Sequence, residues 1–542
     1  MLARIVAYVR VGEAAQLCPK SPDRAPTPPI TYREPHRFLH DPRTLNQLAL
    51  SLTVVGLACV GVLILAWLRM IVSPAPQEMR EGAVLMTTRA FLNGQNPYAF
   101  DALPGPANLY GPFYPLLVAG VATVLGPTLL THRLVNAVGI VVACGLLYRI
   151  LRREGVSPLT ALSGAGLNLA GLLYWVGATA RPDGVGMALA MSAYAVMARA
   201  PTESRCLAWG VLLSMIGFAT KVYYVVPALV AVVWTVGRGD FVRARWLATA
   251  VCGALAATTV GLAGVFPAWG PVVLGANLRA AGYDVSHLLR QAGDWAIFSL
   301  PLLVALVSSR LWLRSARLVE DSAETGVTRR GLDLWTVSLG VGVASVVLAL
   351  GGHRGAHMTY LFHLVTPPLT VVALRHVDRL APRRLAFAAS LPIAALLNAH
   401  WFAIDPARFA RAEETFARLG TAIALARSPA GTSEFAPLIL EAGNDPIETG
   451  HTEYFRALRS APLVGRLLGS PEPLRTEAQR FTKTFYTAVD RASFDLVVAN
   501  QRRLDLFTPE LLWHRYRLSE RLEIDMAWAQ QSWPVDVWVP RR

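Results

Sequence analysis

Apolar runs of about 17–24 residues recur along this chain from Leu45 to His400, the length that the hydrocarbon core of a bilayer demands of a helix. They predict spans near 46–70, 130–151, 157–177, 184–199, 207–221, 223–237, 246–265, 295–313, 333–350, 360–375 and 385–401. One further apolar stretch, 112–127, is about 16 residues long and starts from Gly111-Pro-Phe-Tyr-Pro115, which fits an interfacial or re-entrant helix better than a crossing. The expected fold is an α-helical polytopic membrane protein of about eleven transmembrane helices, with interfacial helices in the first outer loop. No repeat of fixed period and no inverted symmetry is evident.

Beyond residue 401 the pattern changes. Asp405–Gly420 carries an amphipathic helical pattern, Thr421–Ala426 and Asp495–Ala499 read as short buried strands, and Thr476–Asp490 reads as helical. Alternating helix and strand signals predict a small α/β domain. The chain thus divides into a tail over 1–44, a transmembrane domain over 45–401 and a C-terminal domain over 402–542.

Charge sets the orientation. The net charge of +15 would invite a nucleic-acid reading, but the arginines cluster in short loops, at Arg149–Arg153, Arg238–Arg245, Arg310–Arg330 and Arg375–Arg384. Such clusters mark the cytoplasmic side of a membrane. With the N-terminus inside, all of them fall on that side only if 112–127 does not cross, and the C-terminal domain is then extracytoplasmic. The first 44 residues, with seven Lys/Arg and several prolines, read as a cytoplasmic tail rather than a cleaved signal. The setting is a cytoplasmic (inner) membrane, and no nucleic-acid partner is expected. Five cysteines (Cys18, Cys59, Cys144, Cys206 and Cys252) show neither a disulfide framework nor a zinc spacing.

The outer face holds the elaborate loops, 71–129, 178–183, 266–294 and 351–359. Charged groups at the outer ends of spans are few: Glu78 and Glu81, Arg181-Pro-Asp183, Lys221, and His353, Arg354 and His357 before Tyr360. Lys221 stands out because only three of the 51 basic residues are lysine; a compact ammonium is a good point partner for phosphate, the alternative being a snorkelling interfacial cation. A carboxylate can take the proton of an attacking hydroxyl, and cations from several helix ends can hold a phosphate and stabilise its departure. One or both of Glu78 and Glu81 could instead simply open an interfacial helix over 78–93, where acids favour the N-terminus. In the loop 266–294, Trp269, Asn277, Arg279, Tyr283, Asp284 and His287 suit a headgroup or a plain interfacial belt equally well. Trp401 reads as an anchor.

In this order the pieces resemble the integral-membrane C-type glycosyltransferases that use polyprenyl-phosphate sugars: Glu81-Gly82, Ala90-Phe-Leu-Asn-Gly-Gln-Asn-Pro-Tyr98, Tyr110-Gly-Pro-Phe-Tyr-Pro-Leu116, Arg133, Arg181-Pro-Asp183, Ala219-Thr-Lys221 and Gly355-Ala-His-Met-Thr-Tyr360. The resemblance covers roughly 45–375. It implies transfer of one sugar, with inversion, to an acceptor hydroxyl on a glycolipid, polysaccharide or protein of the envelope. Glu81 would be the general base, and Arg181, Lys221, Arg354 and His357 would hold the donor phosphate. Asp183, Tyr98, Tyr110 and Tyr360 would bind substrate. Many relatives pair two acidic or Asp-Tyr residues where this chain has Arg80-Glu81-Gly82, which leaves Glu78 as an alternative base. The outer loops of the transmembrane domain offer few acids, so a metal-independent reaction with no cofactor is expected, in a monomer. The extracytoplasmic tail, through Ser433–Gly443 and Phe494–Val498, is similar to that of some of these transferases, where it would handle acceptor or cover the cavity. Two rivals are a transporter or flippase for a lipid-linked sugar and an oligosaccharide ligase or polymerase. A transporter would place ionisable groups near the midplane and break helices there. No glycine-rich phosphate loop follows a strand, which disfavours a nucleotide-sugar donor.

Overall fold

A computed structural model of the protein describes residues 41–78, 80–102, 110–173, 177–200, 202–275, 283–309, 333–352, 358–399, 405–446, 472–501, 507–526 and 531–541. Contacts divide the chain after Thr44, and Leu45–Arg542 is one compact body. Its first part is helical: α1 (Pro42–Val72), α2 (Glu81–Leu92), α3 (Phe113–Leu125), α4 (Leu129–Arg153), α5 (Pro158–Leu172), α6 (Asp183–Arg199), α7 (Ser204–Thr220), α8 (Val226–Gly237) and α9 (Phe241–Val265). There follow α10 (Val285–Phe298), α11 (Leu300–Ser309), α12 (Leu334–Ser345), α13 (Thr359–Leu364), α14 (Thr366–Leu374) and α15 (Ala381–Leu397).

Large apolar side chains point outward along these helices, including Val62 and Leu65 on α1, Val124 on α3 and Val260 on α9. A continuous apolar exterior of this kind belongs in lipid. Among the described residues α1, α4 and α9 are each long and apolar enough to cross a bilayer, and α10 with α11 form a fourth candidate bent by 79°. α3, with 13 residues, is too short to cross unaided.

Two spans differ from the pattern read in the sequence. The run 295–313 does not begin a straight helix after an outer loop; α10 starts at Val285 and the chain turns sharply before α11. Pro301 causes this, since it has no N–H for the Ile297 carbonyl and its ring crowds the preceding turn. The run 360–375 is likewise split at Val365 into α13 and α14, where Pro367 and Pro368 remove two successive donors.

Within the bundle α4 and α6 cross closely. A Cβ on Gly184 would lie 2.0 Å from the Asn136 carbonyl oxygen, so only glycine permits this approach. Asn136 fastens the contact by accepting the Gly184 N–H at 2.7 Å.

The C-terminal part contains α16 (Pro406–Leu425), β1 (Pro429–Gly431), α17 (Ala436–Glu441), α18 (Glu472–Asp490), β2 (Leu496–Asn500), α19 (Pro509–Leu512), β3 (Tyr516–Met526) and β4 (Gln531–Pro540). The sheet order is β1-β2-β4-β3, with β1 and β2 parallel and the other pairs antiparallel. Alternation along the strands builds two layers. Leu496, Val498, Val535 and Val537 pack on Phe416, Ile423 and Phe435, whereas Val497, Ala499 and Trp538 pack on Phe485, Val489 and Leu512. Thr421–Ala426, expected as a strand, is the last turn and end of α16. Its apolar residues continue the spacing of Ala412, Phe416, Leu419 and Ile423, which is a helical period.

Candidate active site

The first loop after α1 is organised by one buried ion pair. Arg133, from the first turns of α4, donates through Nε to Glu81 Oε1 and through Nη2 to Glu81 Oε2, each at 2.8 Å. The same guanidinium gives hydrogen bonds to the carbonyls of Met70, Ser73 and Ala75, which satisfies acceptors left where α1 ends. Glu81 also accepts the N–H groups of Gln77 (2.6 Å), Glu78 (3.3 Å) and Ala180 (2.8 Å). Both side chains are fully enclosed. Glu81 therefore ties the first loop to α4 and to the 178–183 loop, and its oxygens are already occupied by donors.

Glu78 sits differently. Its side chain keeps 13% of its surface exposed, with Arg80 Nε 4.0 Å away, and it accepts the Arg80 N–H at 2.9 Å. Its charge reaches both Tyr110 and Arg181. Burial pushes the Tyr110 hydroxyl above its ordinary value, opposed by the charges of Arg181 and Arg80.

Asp183 is the second centre. It opens α6 directly after Arg181-Pro182, a position where the helix N-terminus favours an anion. Lys221 Nζ donates to its Oδ1 at 2.8 Å and Arg181 Nε to its Oδ2 at 2.9 Å. The Tyr223 hydroxyl reaches Oδ1 at 3.0 Å and the Tyr224 hydroxyl donates to the Asp183 carbonyl at 3.0 Å. His363, on α13, lies behind the tyrosines with Nδ1 2.8 Å from Tyr223 and 3.1 Å from Tyr224. Tyr360 stands edge-on to Tyr223 at 5.1 Å. The Lys221 ammonium rests over the rings of Tyr110 and Tyr223, at 5.0 and 5.1 Å, a favourable site for a cation.

The sequence around Tyr110 explains how the first loop reaches this centre. Gly111 N–H donates to the Thr220 carbonyl at 3.0 Å, and a Cβ on Gly111 would lie 1.9 Å from the Ala219 carbonyl oxygen. Only glycine lets Tyr110 close over Lys221. Tyr98 is fully buried and donates to the Tyr110 carbonyl at 2.7 Å, which fixes the loop.

Of the residues expected to act, Arg181, Asp183, Lys221, Tyr110 and Tyr360 thus converge, with Glu78 in electrostatic reach, while Glu81 lies inside the ion pair. Arg354 and His357 lie outside the described residues, as do Asn277, Arg279, His353 and Trp401. Trp269 is buried against Phe218, and Asp284 caps α10 by accepting the N–H groups of Ser286 and His287. Tyr223, Tyr224 and His363 were not singled out from the sequence. Their signals are a Tyr-Tyr pair one residue beyond Lys221, after Val222, and an ionisable residue within an apolar span. Among the described residues no three of His, Cys, Asp and Glu come together as metal ligands.

Residues 109–263 match the family model of dolichyl-phosphate-mannose-protein mannosyltransferase. The crystal structure of ArnT from Cupriavidus metallidurans bound to undecaprenyl phosphate is similar in fold, with a TM-score of 0.51 at 15% identity over 89% of this chain and 97% of that one. The apo state of the same protein gives a TM-score of 0.50 at the same identity and coverage. No curated protein matches the chain by sequence. The resemblance to the C-type integral-membrane glycosyltransferases is upheld by the family model over one segment and by the fold over most of the chain. This is a multi-pass membrane protein with that architecture and a small C-terminal sheet.

Proposed function

We propose that this protein transfers one sugar from a polyprenyl-phosphate donor to a hydroxyl of an envelope glycolipid, polysaccharide or protein, at the outer face of the cytoplasmic membrane. The observation that carries the reading is the convergence of Arg181 and Lys221 on Asp183 at the ends of separate helices, beside the loop that bears Glu78. Two cations held by one carboxylate form a cradle whose charge a lipid phosphate can share. The fold likeness to a protein crystallised with undecaprenyl phosphate supports that choice of donor.

In this mechanism Arg181 and Lys221 hold the donor phosphate, and Asp183, with Tyr223, fixes their positions. Glu78 accepts the proton of the acceptor hydroxyl. The hydroxyl oxygen attacks the anomeric carbon from the face opposite the phosphate, the carbon–oxygen bond to phosphate breaks, and polyprenyl phosphate leaves with the electron pair. The configuration inverts. Lys221 and Arg181 stabilise the charge that develops on the leaving oxygen. Glu78 is preferred to Glu81 because a general base needs hydrogen-bond reach to its substrate, and Glu81 is enclosed by five donor contacts. The step uses no metal ion. The proposed topology has eleven crossings, a cytoplasmic N-terminus and an extracytoplasmic C-terminal domain, in a monomer.

The test is a transfer assay with purified protein in nanodiscs and a panel of polyprenyl-phosphate sugars, comparing wild type with Glu78→Gln and Lys221→Ala. Loss of transfer in Glu78→Gln with retained binding of polyprenyl phosphate is expected. Undiminished transfer in both variants would refute the mechanism.

A further inference from the structure

The stretch that carries Glu78 is anchored on both sides to the C-terminal domain. On the N-terminal side, Ala75 is buried in that domain's core with Phe416, Ile423 and Phe435. The last turns of α1 join it there: Trp67, Met70 and Ile71 pack on Phe409, and Arg69 pairs with Glu413 at 2.8 Å while lying 5.3 Å over the Phe409 ring. On the C-terminal side, Leu85 and Met86 of α2 pack on Ala436 and Leu440 of α17. Arg89 donates through Nη1 to the Leu440 carbonyl at 3.2 Å, near the carboxylates of Glu441 and Asp445. Ala180, next to Arg181, belongs to the same apolar cluster. One domain thus touches the loop of the base on both flanks and also the loop of the cradle.

We infer that the C-terminal domain is a wall of the active site, holding Glu78 at working distance from the Arg181–Asp183–Lys221 cradle through Ala75 on one flank and Arg89 on the other. The inference rests on Glu78 as the base. Its physical basis is that proton abstraction requires heavy atoms within about 2.6–3.2 Å, and that a displacement of 1 Å costs about 100-fold in rate. Arg89 is a positioning residue: it touches no reacting atom, and it pins α2 to the C-terminal end of α17 at the Leu440 carbonyl, which also accepts the Gly443 N–H. Arg181 precedes α6, Asp183 opens it and Lys221 follows α7, and the ion pairs that join them involve no residue of the domain, so loosening the Arg89 contact moves the base more than the cradle.

The experiment uses the full chain in nanodiscs, with polyprenyl phosphate as binding probe, hydrogen exchange at the Gln77 and Glu78 amides, and steady-state transfer. Arg89→Ala is expected to speed exchange at these amides and to lower kcat about 10- to 100-fold, with the affinity for polyprenyl phosphate unchanged. Arg89→Lys, which keeps one donor and the charge, is expected to restore both. Phe409→Ala, at the opposite anchor, should repeat the effect, and retained phosphate binding shows that each variant is folded. Unchanged exchange, unchanged kcat, or a loss of phosphate affinity as large as the loss of kcat would overturn the inference. Full transfer by Glu78→Gln would instead remove the base assignment, a separate result from the exchange readout.

Discussion

Breaking the Glu81–Arg133 pair gives a prediction whose size follows from its geometry. Every partner of Glu81 is a donor: two nitrogens of Arg133 and the amides of Gln77, Glu78 and Ala180. In Glu81→Gln the new NH2 must therefore face another donor whichever way the amide turns, and the Arg133 charge stays buried without its counter-ion. Removing one partner of a buried pair costs about 3–5 kcal/mol, and this variant belongs at the upper end. Arg133→Met leaves Glu81 charged with its three backbone donors, strips the Ser73 carbonyl of the guanidinium and leaves the Ala75 carbonyl only the Gln77 side-chain amide, again a loss of about 3–5 kcal/mol. The double variant has no uncompensated charge, so its loss falls short of the sum of the singles by about 2–3 kcal/mol, near the top of the range for residues in contact. Denaturant unfolding of all four proteins in micelles closes the cycle. Additive losses, or single variants within about 1 kcal/mol of wild type, would refute the argument that this pair organises the first loop.

Other perturbations read the site itself. Lys221→Ala removes a charge-assisted contact of about 1.5–3 kcal/mol, so calorimetry should show polyprenyl phosphate binding weakened roughly 10- to 100-fold; Lys221→Arg should restore it only in part, because a longer planar fork replaces the compact ammonium that meets Asp183 Oδ1 at 2.8 Å. Gly111→Ala drives a methyl into the Ala219 carbonyl and must part Tyr110 from Lys221, so phosphate binding should fall even where thermal unfolding changes little. Tyr223→Phe deletes one donor to Asp183 and should lower stability by about 1 kcal/mol while leaving transfer well above that of Lys221→Ala, measured in the same assay.

Much of the site could be read in the chain because its residues stand in short polar motifs between apolar runs. Arg181, Asp183 and Lys221 are charged groups retained at span ends, where each costs free energy unless it is paired. Tyr98, expected to bind substrate, is buried and supports the Tyr110 carbonyl; a tyrosine in a loop reads the same in either role. The proposed division of labour between Glu78 and Glu81 was not legible, since it depends on Arg133 arriving from α4 with the right reach. His363 was hidden inside an apolar run, and its contact with Tyr223 and Tyr224 joins segments about 140 residues apart. In the fold, Pro301 and Pro367-Pro368 were visible as breakers, but hydropathy averaged over a window smooths a bend into one span. Thr421–Ala426 resembled a strand because a short apolar run carries no period of its own, and the helical spacing emerges only with Phe416 and Leu419.

The most direct measurement of the central claim follows a labelled sugar from polyprenyl phosphate in nanodiscs to membrane-extract acceptors, for wild type and Glu78→Gln. The account predicts covalent transfer with release of polyprenyl phosphate by wild type, and a fall of about 10²–10⁴-fold in Glu78→Gln, the contribution of a positioned general base, with phosphate binding retained. Movement of the intact donor across a sealed bilayer without covalent transfer, or equal transfer by both proteins, would contradict it.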